Sequence, residues 1–294
     1  MKKKYSIFHI EGGLGKHIMA TAVAQCIKNN YPDRGLIIVA AYPEIFLNID
    51  FIDKVYRIGN TPYFYQDYIE GKDSLIFRNE PYFTTDYINQ TSHLIESWCN
   101  LFQLEYKGEN PQLIFNRSQE LEAFNFWNRN KPIMVIQTNG GPLTQNNTHS
   151  WVRDIPYLIA NEVTQLYNKD YHIIQVTRDN TAILPGVEVV TDVSSSMMFL
   201  SLLKFSKKRL LIDSSLQHAA KAFNLKSTVL WIGNSPNTLG YDLHDNIVAN
   251  LPNSIKLPDS YMNKYVIHGA PHECPIKEEV IFNKEEIIYS IENQ

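Results

Sequence analysis

The stretch Tyr5-Ser6-Ile7-Phe8-His9-Ile10-Glu11-Gly12-Gly13-Leu14-Gly15-Lys16-His17, with Leu36-Ile37-Ile38-Val39-Ala40 after it, decides the fold class. Residues 5–10 are a short apolar, β-prone run ending in a glycine loop. A helical pattern follows from about residue 17 to 29, carried by Ile18, Ala22, Cys26 and Ile27. Residues 36–40 are continuously apolar, the pattern of a strand covered on both faces. Strand, glycine loop, helix and buried strand make a βαβ unit. Residues 55–58 and 74–77 extend the same sheet, and 88–104 carry a helical pattern with Leu94, Ile95, Trp98, Leu101 and Phe102.

A second series starts after Asn130-Lys131-Pro132. Strands are expected at 133–137, 172–177, 187–190, 209–212, 227–232 and 247–250, with helices at 155–168, 194–205 and 215–223. Alternating strands and helices of this kind fold as a parallel sheet covered by helices, here twice over. The polar stretch at 117–131 is the expected boundary.

The chain of 294 residues is long enough for two such cores. Its 31 acidic residues against 27 basic ones leave a net charge of −4, which argues against a globally basic nucleic-acid binder. Three cysteines, Cys26, Cys99 and Cys274, are too few for a disulfide framework or a four-ligand zinc site. His268, His272 and Cys274 supply at most three ligands on an irregular segment, so no metal is expected there. No run reaches 18 apolar residues, so no transmembrane segment is expected. The apolar stretch after Lys2–Lys4 is short and runs straight into Glu11-Gly12-Gly13 without a small-residue cleavage site, so a cytoplasmic protein is expected.

Two segments carry chemistry. Gly12, Gly13 and Gly15 sit between a strand and a helix, where the chain turns tightly and a helix N-terminus faces the crevice. Their spacing fits neither a dinucleotide fingerprint nor a P-loop, and a tight turn without a ligand is the bland alternative. The second segment runs Leu210-Leu211-Ile212-Asp213-Ser214-Ser215-Leu216-Gln217-His218-Ala219-Ala220-Lys221-Ala222. A buried strand ends in Asp-Ser-Ser and a small-residue helix opens at once; Asp213 or Ser214 is the expected cap. Several donors and a helix dipole suit a diphosphate, whereas plain capping with a core histidine is the alternative.

On these residues the chain resembles the family 9 glycosyltransferases, the ADP-heptose:lipopolysaccharide heptosyltransferase group. The opening loop matches Gly12-Gly13-Leu14-Gly15-Lys16 with Thr21-Ala22, and the second-domain signature matches Asp213 to Ala222 with the strand ending at Gly233. Ser150-Trp151-Val152 resembles the entry to that domain's first helix, and Glu273-Cys274-Pro275-Ile276 with residues 282–287 resembles its carboxyl end. The resemblance implies the GT-B form of the α/β class: two Rossmann-like parallel-sheet domains facing across a cleft. Residues 1–130 would bind the acceptor, 131–275 the nucleotide sugar, and 276–294 would form a helix crossing back to the first domain. It further implies inverting, metal-independent sugar transfer from a nucleotide-diphosphate sugar, with no resident cofactor. The acceptor would be a hydroxyl on a saccharide or glycolipid.

The departures concern the site. The family's acidic loop residue is replaced by Lys16, and an ammonium cannot take a proton from a hydroxyl at pH 7. Glu11, at the end of the first strand, is the preferred base; His17 is the other candidate, or an exposed residue at a helix start. Lys16 would then meet the donor phosphates. Ser215 replaces the signature glycine, which requires a backbone without positive φ. Arg153 and Arg178 are candidate phosphate partners, and His218 either contacts the nucleotide or is a satisfied core histidine. First-domain aromatics such as Tyr42, Tyr63, Phe64, Tyr65, Tyr82, Phe83 and Tyr87 suit sugar rings and also flipped bases. Two further readings therefore stand beside the first: a phage-type DNA glycosyltransferase acting on 5-hydroxymethylcytosine, and a non-catalytic nucleotide-sugar-binding protein.

Overall fold

A computed structural model describes residues 2–140, 150–178, 181–191, 193, 195–252 and 280–294. The segment with His268, His272 and Cys274 lies outside the described residues, as does His149. The first lobe contains β1 (Lys4–Ile10), α1 (Leu14–Asn30), β2 (Gly35–Ala40), β3 (Lys54–Arg57), α2 (Phe64–Tyr68), β4 (Asp73–Phe77), α3 (Thr85–Ile88) and α4 (Leu94–Leu101). Its strands are all parallel in the order β3-β2-β1-β4. Leu36–Ala40 of β2 are buried throughout, because helices cover one face and the Tyr5, Tyr56, Phe64 and Tyr68 ring cluster covers the other. α1 lays Ile18, Met19, Val23 and Ile27 on the sheet, and α4 adds Trp98, whose ring meets Phe8 edge to face at 5.4 Å.

The second lobe contains β5 (Ile133–Gln137), α6 (Tyr157–Tyr167), β6 (His172–Val176), β7 (Glu188–Val190), α7 (Ser196–Phe205), β8 (Ser206–Ile212), α8 (Ser215–Ala222), β9 (Thr228–Trp231), α9 (Pro236–Leu239) and β10 (Asp245–Val248). Note that α5 (Arg117–Trp127) precedes them. The strand order is β10-β9-β8-β5-β6-β7, again parallel. Renumbered from β5, this is the doubly wound order in which the direction of winding reverses between the first and fourth strands. In the first lobe the same reversal falls between β1 and β4. Both sheets therefore have a switch point, where an open α/β sheet leaves a crevice at the carboxyl ends of its strands.

The polar stretch at 117–131 holds α5, which starts at a capping box between Asn116 and Gln119 and ends on buried Trp127. The Trp127 indole N–H donates to Met198 O (3.1 Å) and Ser201 Oγ (3.0 Å), tying α5 to α7. The C-terminal helix, α10 (Lys284–Glu292), does not cross back to the first domain. Its apolar pair Ile287 and Ile291 is fully buried in the core of the second sheet. Lys208 Nζ donates to Ile291 O (2.8 Å), and the Arg209 N–H donates to Gln294 Oε1 (2.7 Å). Those donors on β8 need acceptors, and the helix carboxyl end supplies them.

Candidate functional site

The two switch points face each other. A cavity of about 350 Å³ opens between them, lined on one side by Gly13, Leu14, Gly15, Lys16, Met19, Tyr42, Tyr82 and Tyr87. On the other side stand Arg153, Asp213, Ser214, Ser215, His218, Asn234 and Leu239. A larger cavity of about 520 Å³ lies toward the other end of α8, lined by His93, Tyr106, Glu109, Lys221, Asn237 and Tyr241 among others. Only the smaller one sits where strands end and two helices begin.

α1 starts at Leu14, three residues earlier than its apolar pattern suggests, with Gly13 as its N-cap. Gly12 turns the chain at φ +96°. A Cβ on Gly15 would stand 3.0 Å from His218 Cδ2 and 3.4 Å from Ser215 Cα. A bare backbone is thus what lets the lobes meet at this point.

The early helix start changes the two residues behind the loop. His17 is fully buried, not exposed. In the tautomer that satisfies its neighbours, Nδ1–H donates to Gly13 O (2.9 Å) and Nε2 accepts the Ala41 N–H (3.1 Å). Burial lowers its pKa, and its lone pair is engaged, so it is a strut under the loop rather than an available base. Lys16 lines the cavity with a side chain only 4% exposed, and its Nζ donates to Glu80 Oε2 at 2.5 Å. The ammonium also lies 5.3 Å and 5.2 Å from the Tyr82 and Trp98 ring centroids. An ammonium so enclosed is stabilised by the carboxylate and the ring faces together. Glu11 lies just past β1 with its carboxylate 57% exposed, beside His9 Nδ1 (3.5 Å) and Arg78 Nη2 (3.4 Å). It does not line the cavity.

In the second lobe, β8 delivers Asp213, Ser214 and Ser215 in sequence. Ser214 is the N-cap of α8 with extended backbone (φ −159°), and its side chain makes no cap bond. The first-turn amides of α8 therefore point at the cavity without a side-chain cap, the arrangement that attracts an anion. Ser215 is absent from the positive-φ positions, so it replaces a glycine without strain. Asp213 is buried and accepts a hydrogen bond from the Asn234 amide, so it braces a neighbouring loop instead of capping. His218 Nδ1 lies 2.9 Å from the Tyr241 hydroxyl, and burial drives its pKa down to about 3, leaving the ring neutral.

The two arginines part company. Arg153 lines the cavity from the turn Ser150–Arg153. That turn is pressed on the end of β9: the Gly233 N–H donates to Val152 O (2.9 Å), and a Cβ on Gly233 would lie 2.5 Å from Val152 Cβ. Arg178 is instead locked to Asp154 and donates to Gly140 O (3.0 Å). Desolvation pushes the Asp154 pKa up and Arg178 opposes it, so this pair balances its own charge. Sequence reading did not single out Glu80 or Asn234. Each acts through a partner distant in sequence, and no local pattern announces it. Among the described residues no group of three or more His, Cys, Asp or Glu side chains is placed to hold a metal ion. No helix among them is long and apolar enough to cross a membrane.

No family model matches the chain, and no curated protein matches it in sequence. Solved structures do match in fold. A family 9 glycosyl transferase from Veillonella parvula superposes with TM-score 0.70 at 12% identity, covering 100% of this chain and 97% of that one. The E. coli ADP-heptose lipopolysaccharide heptosyltransferase II gives 0.63 at 12% identity, over 85% of this chain and 91% of its own. TibC, an iron-containing dodecameric glycosyltransferase of enterotoxigenic E. coli, gives 0.64 at 13% identity, over 100% and 79%. The chain therefore has the two-domain α/β fold of the family 9, heptosyltransferase-like glycosyltransferases.

Proposed function

We propose that this chain is a glycosyltransferase that moves a sugar from a nucleotide-diphosphate sugar to a hydroxyl acceptor. The observation that carries the reading is the cavity between the two switch points. One wall offers the uncapped start of α8, the Ser214 and Ser215 hydroxyls and Arg153; the facing wall offers Tyr42, Tyr82 and Tyr87. The first set suits a diphosphate and the rings suit the apolar faces of sugars.

In this reading the diphosphate seats at the α8 N-terminus. As the anomeric C–O bond breaks, charge grows on the departing phosphate oxygen, and amides, hydroxyls and the Arg153 guanidinium stabilise it where it develops. The acceptor hydroxyl attacks from the first-lobe side, opposite the leaving group, which inverts the anomeric centre. The leaving-group charge is met by protein donors alone, without a metal ion. The acceptor is assigned to the saccharide or glycolipid class on the aromatic wall. TibC has been captured with ADP-D-β-D-heptose, which makes ADP-heptose a first donor to try.

The test is direct: incubate the purified protein with ADP-heptose, UDP-glucose, GDP-mannose and a CMP-sugar, and follow nucleotide release with and without saccharide acceptors. Release from one donor, stimulated by an acceptor, supports the reading. Nucleotide binding with no release under any condition points to a binding protein instead.

A further inference from the structure

We propose that Glu80, delivered by the loop after β4, is the carboxylate that takes the acceptor proton; this rests on the glycosyltransferase reading above. Topology comes first. Glu80 follows β4 as the glycine loop follows β1, so both stand at the carboxyl ends of the strands flanking the first lobe's switch point. Tyr82, two residues on, lines the cavity. Contact comes second. Glu80 Oε2 accepts from Lys16 Nζ at 2.5 Å, and Lys16 lines the cavity at the position where the resemblance calls for an acid. Glu80 does not itself line the cavity; it reaches it through Lys16, from a segment 64 residues away.

The third observation is an unmet acceptor. Glu80 Oε1 is shielded from solvent and has no hydrogen-bond partner among the described residues. A buried carboxylate oxygen without a donor is costly, and an acceptor hydroxyl seated in the cleft is a donor of the right kind. Lys16 fixes one oxygen, leaving the other for the substrate. The step balances: the acceptor oxygen bonds to the anomeric carbon as its proton passes to Glu80 Oε1. The anomeric C–O bond breaks with its electron pair leaving on the diphosphate. Glu80 then returns the proton to water.

Glu80→Gln keeps the shape and removes the basicity. Nucleotide release from the donor that the wild type uses is expected to fall in kcat by about 10²–10⁴-fold, with donor KM and calorimetric nucleotide-diphosphate affinity held within about twofold. Glu80→Asp is expected to recover part of the rate. Because Glu80→Gln leaves the Lys16 charge buried, Lys16→Met/Glu80→Gln is the second variant, expected to fold, bind nucleotide and remain as slow. A Glu80→Gln enzyme within about threefold of wild type overturns the proposal, as does a rate loss confined to Glu11→Gln. A folded Glu80→Gln protein that loses nucleotide affinity in step with rate also overturns it, since the pair would then be structural. A wild type that binds no nucleotide diphosphate at all overturns the parent reading, a result separate from these.

Discussion

The two loops that meet across the cleft are built alike and used differently. Each follows a buried parallel strand, and each opens a helix toward the same cavity. The second-lobe loop keeps its donors on the surface of the cavity: Ser214 leaves α8 without a side-chain cap, and Ser215 takes a glycine's place without strain. The first-lobe loop turns its polar residues inward. His17 bonds backbone on both ring nitrogens, and Lys16 is enclosed by Glu80, Tyr82 and Trp98. On the proposed reading, one loop binds and the other positions. A motif match alone does not reveal that division, because both loops read as glycine- or serine-rich turns before helices.

The comparison breaks most visibly at the contact between the loops. Gly15→Val pushes a branched side chain into His218 and the Ser215 backbone, so the lobes must separate. A misplacement of about an ångström is expected to cost at least about 100-fold in nucleotide release, read by steady-state kinetics. Activity within a few-fold of wild type would mean that the lobes do not close on each other here.

His17→Ala tests whether the first loop is scaffold. It strips partners from the Ala41 N–H and the Gly13 carbonyl and leaves a void, for an expected loss of about 2–4 kcal/mol in urea unfolding. His17→Gln, able to restore one bond, should recover part of that stability. A loss of catalysis from His17→Gln without loss of stability would return His17 to the list of bases.

pH sharpens the second loop. Burial holds His218 near pKa 3 and His244 near 4, against about 6.5 in an unfolded chain. Below pH 6.5 the unfolded state therefore binds more protons than the folded one. Stability is full above that pH, falls as the pH drops, and stops falling from this source near 3, where the folded rings also protonate. The slope reaches about 1.4 kcal/mol per pH unit for each histidine. Urea midpoints measured from pH 7.5 to 4.5 would show it, and His244→Asn should flatten the curve. A curve that stays flat down to pH 4.5 would contradict the buried neutral rings.

Much of this was legible from residues alone. Leu36 to Ala40 and Ile133 to Ile136 are apolar without a break, as strands of a sheet covered on both faces are. The start of α8 at Ser215 was readable because a strand run stops at Asp213 and alanines follow. α5 was not: only Ala123 and Trp127 are buried on it, while Leu121, Phe124 and Phe126 are exposed, so its periodicity carries no clear face. The docking of α10 depended on donors on β8 more than 80 residues earlier. The burial of His17 turned on a helix start set by Gly13, and the Lys16–Glu80 pair is wholly tertiary.

The central claim is that a diphosphate rests on the start of α8. Calorimetric titration of ADP, UDP and GDP into the wild type and into Ser214→Ala/Ser215→Ala tests it most directly. One nucleotide is expected to bind the wild type, and the double variant, equally stable, to bind it about tenfold or more weakly. Equal affinity in both proteins, or no binding of any diphosphate to the wild type, would contradict it.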